Sequence, residues 1–355
     1  MSEHTVVLVT GSMRSGTSSL AGSLKLLGWH VPQPEVPASE RNAKGHFEPR
    51  WVIEFHKRLM RGALVRPSDG SPRAEERVAA LLEDGAVQRE LRDWLTQQEQ
   101  ERVVVKDPHA AWVVPLWRRA AEDAGRDLRI LTALRHPAAV VGSQDRTWGE
   151  GRRSDAERKV KETSNTAAWL NLALVTERGS RDAPRAFIRY DDLLADWRTA
   201  LARVSDQLDL ALPLDEDRGL DAFLDPGMRR SQLTWDDIAL PDWLRQAAEN
   251  TWHHLGVLVE APSDPSLAGV FDAERQQYDA LYAEAVAVSL DEARHRERRG
   301  SARGAAKLRG RLRAERARRK EAEARLAAGE DQSTKRLLGQ ILGRSRSGNR
   351  DATNS

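Results

Sequence analysis

The 355-residue chain contains no cysteine, and its aromatic residues amount to 5%, with three Tyr and five Phe beside eleven Trp. A disulfide framework, a thiolate zinc site and thiol catalysis are therefore excluded. No apolar run approaches the roughly 20 residues that cross a bilayer, and Met1-Ser2-Glu3-His4-Thr5 has neither a basic nor an apolar leader segment. These features predict a cytoplasmic protein. Lysine is also scarce, nine against 47 arginines, a bias that says little about substrate.

Net charge is small, 56 Lys and Arg against 54 Asp and Glu, and it hides an asymmetry. Residues 291–355 hold 19 basic and 9 acidic side chains, +10, which leaves 37 against 45, −8, for the remainder. The body is mildly acidic, so no specific nucleic-acid partner is expected. The length suits one sizeable α/β core with appendages. We divide the chain into a main domain, 1–290, and a basic charged tail, 291–355, helical or disordered.

Short apolar runs at Val6–Val9, Val103–Val105, Ile130–Leu134 and Ala186–Ile188 read as buried parallel strands. Helical spacing separates them. Ser18–Leu27 forms one helix, Glu75–Leu95 puts Val78, Leu81, Leu82, Leu91, Trp94 and Leu95 on one face, and Thr163–Thr176 is apolar at the same period. The expected fold class is α/β, a P-loop-type three-layer fold with a central parallel sheet and helices on both faces. Gln33–Arg50 is broken by Pro34, Pro37 and Pro49 and reads as a long ordered loop, a kind often functional. Residues 212–244 mix short helices with turns.

The first strand runs into Thr10-Gly11-Ser12-Met13-Arg14-Ser15-Gly16-Thr17-Ser18. Gly16 lies five positions after Gly11, and two hydroxyl residues open a helix whose backbone N–H groups point back at the loop. This is an anion site. The nucleotide loop G-x-x-x-x-G-K-S/T would place lysine where this chain has Thr17, and the loop's only cation is Arg14. Further cations and an aromatic ring stand at or just after the strand ends: Lys106-Asp107-Pro108-His109, Arg135-His136-Pro137 with Ser143 eight residues on, and Arg189-Tyr190-Asp191-Asp192.

Together these segments resemble sulfotransferases that use 3′-phosphoadenosine 5′-phosphosulfate (PAPS), in the right order over roughly residues 5 to 230. Trp169-Leu170-Asn171 and Phe223-Leu224-Asp225-Pro226-Gly227-Met228-Arg229-Arg230 add to the likeness. His109 departs from it, since bacterial members usually carry arginine there. The resemblance implies that Gly11, Arg14, Ser15, Gly16, Thr17 and Ser18 bind the 5′-phosphosulfate, Arg135 and Ser143 the 3′-phosphate, and that Tyr190 lies near the adenine. It also implies that Lys106 stabilises the sulfuryl group in flight.

Sulfuryl transfer needs positive charge on the equatorial oxygens, donors at the leaving phosphate and a base for the acceptor, all in line. With one negative charge fewer than phosphoryl transfer, arginine and lysine can replace Mg²⁺, so no metal is expected. We assign Arg14 and Lys106 to the bridging and equatorial oxygens and the N–H groups of Ser15–Ser18 to the 5′-phosphate. Gly45-His46-Phe47-Glu48 resembles a Gly-aromatic-aromatic-Glu segment of bacterial members, and the resemblance implies Glu48 as the first choice of base, with His109, His46 and Asp107 as alternatives. His30, His253 and His254 have no metal-ligand spacing and read as structural.

The acceptor class is a hydroxyl on a glycan, glycolipid or secondary metabolite; Trp51, Trp112 and Trp148 are candidate sugar platforms, although most tryptophans are structural. A second copy of the chain is a further expected partner. The tail is open to an acidic membrane surface or a partner protein. Two other readings stand: a Mg²⁺-nucleotide kinase with Val103–Asp107 as its acidic strand end, and a non-catalytic nucleotide-binding adapter with a basic tail.

Overall fold

The computed structural model describes residues 4–40, 42–148, 154–225, 227 and 233–327. Four strands, β1 (Thr5–Thr10), β2 (Arg102–Lys106), β3 (Asp127–Leu134) and β4 (Arg185–Arg189), form one all-parallel sheet in the order β2-β1-β3-β4. Each encloses an apolar run expected from the sequence. Their side chains alternate between two apolar layers, as strand geometry requires. Val6, Leu8, Val103, Val105 and Ile130 face α2 (Arg50–Gly62), α4 (Gly85–Thr96), α5 (Val114–Asp123) and α7 (Asp155–Ser180). Val7, Val9, Val104, Leu131 and Ile188 face α1 (Thr17–Leu26), α8 (Tyr190–Ala195) and α9 (Trp197–Leu208). The result is the expected three-layer α/β arrangement, held by apolar burial worth about 25 cal/mol per Å².

A third apolar cluster joins β4 and α7 to α6 (Pro137–Trp148), α11 (Asp242–Leu258) and the start of α12 (Pro265–Ala327). Asn171 of α7 serves this packing. Its amide donates to the carbonyls of Asp69 and Ser71 at 2.8 and 3.0 Å, and its oxygen accepts from Arg275 at 2.7 Å.

The single helix expected over Glu75–Leu95 is two helices, α3 (Arg73–Leu81) and α4. The break has a local cause. Asp84 is extended, and its carboxylate accepts the Ala86 N–H at 2.9 Å, capping a new helix that begins at Gly85. Of the apolar face read across both, Val78, Leu91, Trp94 and Leu95 are buried, while Leu81 and Leu82 at the break pack only partly.

Residues 212–244 hold α10 (Leu220–Phe223) and a 3-10 turn, Trp235–Asp237, as short helices among turns. The chain divides into two compact units, Met1–Tyr282 and Ala283–Ser355. Within the second, the described residues are the continuation of α12, helical and almost wholly exposed. No helix among the described residues is long and apolar enough to cross a membrane.

The strand order reverses between β1 and β3, so the segments leaving their carboxyl ends part in opposite directions and leave a crevice. The Gly11–Gly16 loop and Arg135 both begin there.

Candidate functional site

Hydrogen bonding clamps the root of the crevice: Thr10 Oγ1 of β1 lies 2.8 Å from Thr132 Oγ1 of β3. Gly11 follows with φ +133, and a Cβ there would stand 2.6 Å from the Ala133 carbonyl oxygen. Ser15 closes the loop on itself, its N–H and hydroxyl both donating to the Ser12 carbonyl at 3.1 and 2.7 Å. The Ser15 N–H is thus taken up inside the loop, which corrects the expectation that it faces the 5′-phosphate. The donors left for an anion are those of Gly16 and the first turn of α1, which no side chain caps.

Gly16 has φ +97, and a Cβ on it would fall 2.2 Å from the Tyr190 ring. Glycine is required twice over here, for the left-handed backbone and for the close approach of the ring. Gly16→Ala is expected to destabilise the protein by about 1–3 kcal/mol through strain at this residue. Thermal melting checks this, and an unchanged melting temperature would show the contact to be slack.

The sequence-predicted cations gather around this loop. Arg135 is buried at the end of β3, with its guanidinium 4.9 Å from the centre of the Tyr190 ring and Nη1 donating to the Arg14 carbonyl at 3.1 Å. Arg14, at φ 72, donates from Nε to Ser143 Oγ of α6 at 3.0 Å. Arg14, Ser143, Arg135 and Tyr190 thus form one connected cluster on the loop's first half. Tyr190 is itself buried, sandwiched between Gly16 and Arg135, and burial pushes its hydroxyl up from the usual phenol range.

Lys106 holds the other half of the loop. It is 3% exposed at the end of β2, and its ammonium donates to Ser18 Oγ at 3.1 Å and pairs with the Glu48 carboxylate. The His46 carbonyl lies 3.4 Å from the same nitrogen. Glu48 is delivered by the long ordered loop, whose two arms are tied together by Val36 N–H to Glu48 O and Arg50 N–H to Pro34 O, 2.8 and 2.9 Å. The loop lies across α1 because Gly22 has no side chain; a Cβ there would sit 2.3 Å from Phe223 and 2.7 Å from Phe47, which meet edge to face.

Asp107 follows Lys106 and is fully buried. Oδ2 lies 2.8 Å from His56 Nδ1, and Oδ1 receives the His109 backbone N–H at 3.1 Å and lies 2.8 Å from His109 Nδ1. Burial alone would raise its pKa, yet hydrogen bonds from His109 and His56 outweigh that and hold Asp107 far below the usual carboxylate range. Trp117 of α5 completes the chain, donating from its indole to His56 Nε2 at 2.9 Å. Both Asp107 oxygens already have partners.

A family model described as the sulfotransferase family matches residues 7–214. The chain belongs to the sulfotransferase family. Among solved structures, it is similar to the sulfotransferase domain from the Synechococcus PCC 7002 olefin synthase, at 16% identity, covering 71% of this chain and 94% of that one, with a TM-score of 0.44. It is also similar to the sulfotransferase domain from the curacin biosynthetic pathway, at 18% identity, with 71% and 98% coverage and a TM-score of 0.38. No curated protein matches the chain.

In this sulfotransferase two of the three tryptophans considered as sugar platforms, Trp51 and Trp112, are held by packing. Trp51 stacks on Phe55 and Trp94, ring centroids 4.9 Å from each, and Trp112 is buried. The Trp148 side chain, Pro226 and residues 228–230 lie outside those described. His254 Nδ1 pairs with Glu274 at 2.7 Å and ties α11 to α12, in keeping with its structural reading. His136 is wedged between Trp235 and Trp252, and burial lowers its pKa. The sequence reading passed over His56. Its only signal was a polar residue on the face of α2 that also carries Val52, Phe55 and Leu59, all buried.

Proposed function

We propose that this sulfotransferase moves a sulfuryl group from PAPS to the hydroxyl of an acceptor by in-line displacement, without a metal ion. One observation carries the reading: Arg14, Arg135 and Lys106 flank an uncapped helix start at the switch point, in a loop that has threonine where a kinase places lysine. The residues present fit such a donor. They offer guanidinium, ammonium and backbone N–H groups, which match phosphate and sulfate oxygens.

Bound PAPS would supply the sulfuryl group and a phosphate leaving group. The N–H groups of Gly16, Thr17 and Ser18 would hold the 5′-phosphate, with Gly11 and Ser15 shaping the loop. Arg135 and Ser143 would take the 3′-phosphate, and Tyr190 would support the adenine end. Arg14 and Lys106 would meet the charge that grows on the bridging and equatorial oxygens.

For the base we favour His109 over Glu48. Glu48 is engaged as the counter-ion of Lys106, Asp107 has both oxygens occupied, and His109 has no described hydrogen-bond partner at Nε2. The occupied Asp107 carboxylate also weighs against a kinase that would use it for Mg²⁺. The acceptor stays at the level of a hydroxyl on a glycan, glycolipid or secondary metabolite.

Calorimetric titration with 3′,5′-ADP in EDTA tests the assignment. Metal-independent binding, tighter than that of ADP, is expected because only the bisphosphate engages Arg135. Binding of Mg-ATP in preference to 3′,5′-ADP would overturn the reading in favour of a kinase.

A further inference from the structure

The chain Trp117–His56–Asp107–His109 runs from the core to the half-buried ring of His109, and its hydrogen bonds have a determined direction. An indole N–H only donates, so His56 Nε2 is the acceptor of the 2.9 Å bond from Trp117, and the His56 proton sits on Nδ1. That proton is donated to Asp107 Oδ2. The carboxylate oxygens have only lone pairs to offer, so His109 Nδ1 likewise donates to Oδ1. In the neutral ring the His109 lone pair is therefore on Nε2.

Burial makes this order rigid. His56 and Trp117 are 0% exposed, Asp107 1%, and the His109 side chain 11%. His56 could rotate only by leaving the Trp117 N–H and a carboxylate oxygen unpaired in the core, where unsatisfied polar groups are strongly disfavoured. The backbone N–H of His109, bonded to Asp107 Oδ1, fixes the turn that carries the ring.

We propose that His56 and Trp117 are positioning residues that lock Asp107, and through it hold His109 in the tautomer that accepts the acceptor's hydroxyl proton at Nε2. The proposal rests on the sulfotransferase reading. In the step it serves, the acceptor O–H proton passes to His109 Nε2 and a new O–S bond forms. The S–O bond to the 5′-phosphate of PAPS breaks, and its electron pair leaves with 3′,5′-ADP.

The test uses the full chain labelled with ¹⁵N-histidine, together with His56→Phe, His56→Asn and Trp117→Phe. Nitrogen spectra are expected to show His109 protonated at Nδ1 in the unmodified protein and as mixed tautomers in His56→Phe and Trp117→Phe. His56→Asn places an amide N–H near the former Nδ1–H and is expected to restore the Nδ1 tautomer. Using water as the probe acceptor, conversion of PAPS to 3′,5′-ADP should fall about 10-fold or more in His56→Phe and Trp117→Phe, with 3′,5′-ADP affinity unchanged.

A His109 tautomer indifferent to both Phe substitutions overturns the positioning role whatever the nucleotide does. If Trp117→Phe alone folds, its spectrum decides. Failure of the unmodified protein to bind 3′,5′-ADP overturns the sulfotransferase reading, and with it the catalytic use of the chain, and is seen in a separate experiment.

Discussion

Lys106→Ala is expected to lower turnover by about 10²-fold or more, a few kcal/mol of transition-state stabilisation, while 3′,5′-ADP still binds within a few-fold. The split follows from where the ammonium stands. Lys106 reaches Ser18 and Glu48 at the helix start rather than the Arg14–Arg135 cluster, and 3′,5′-ADP lacks the sulfuryl oxygens that we assign to it. Removing the side chain leaves Glu48 without its cation, but that carboxylate is 12% exposed and has solvent to turn to, so the fold should survive. Steady-state kinetics with PAPS, alongside calorimetry of the product nucleotide, checks both halves. Equal losses in turnover and in 3′,5′-ADP affinity would move Lys106 from the sulfuryl group to the phosphates.

Arg135→Ala should do the reverse, weakening 3′,5′-ADP by about 10²-fold, as for a lost charge-assisted phosphate contact in a buried setting. Its effect should exceed that of removing one contact. Arg135 donates to the Arg14 carbonyl and lies over Tyr190, which in turn packs on Gly16. The alanine variant loses the fork that we assign to the phosphate and one brace of the loop's left-handed non-glycine residue, Arg14. Arg135→Lys keeps the charge but not the planar fork and should recover only part of the affinity. The comparison of 3′,5′-ADP with ADP on each variant is the check: a variant that loses both ligands equally places Arg135 away from the 3′-phosphate.

Much of this site was legible before the fold was known, because its parts are local. A strand followed by Gly11 and Gly16, a cation at the end of each neighbouring strand, and hydroxyl residues at a helix start are patterns a few residues long. The parts played by Trp51 and Trp112 are not local in this way: composition permits a tryptophan to stack on a ligand, but only packing shows that other rings or the core already hold it. The Glu75–Leu95 helix failed at a cap, since the apolar period continues through Asp84 and only the Asp84–Ala86 hydrogen bond restarts the helix.

The α/β alternation, the Gly11–Gly16 loop with its unusual threonine, and the placing of Lys106, Arg135 and Tyr190 at or next to strand ends can all be read from the residues alone. These follow from period, turn chemistry and the rule that ligands meet the carboxyl ends of parallel strands. Which of these groups touch depends on the fold. Arg14 meets Ser143 across 129 residues and Lys106 meets Glu48 across 58, while Asp107 finds His56 51 residues away. Such pairs depend on the strand order β2-β1-β3-β4 and on which face each helix covers, and no window of sequence contains that information.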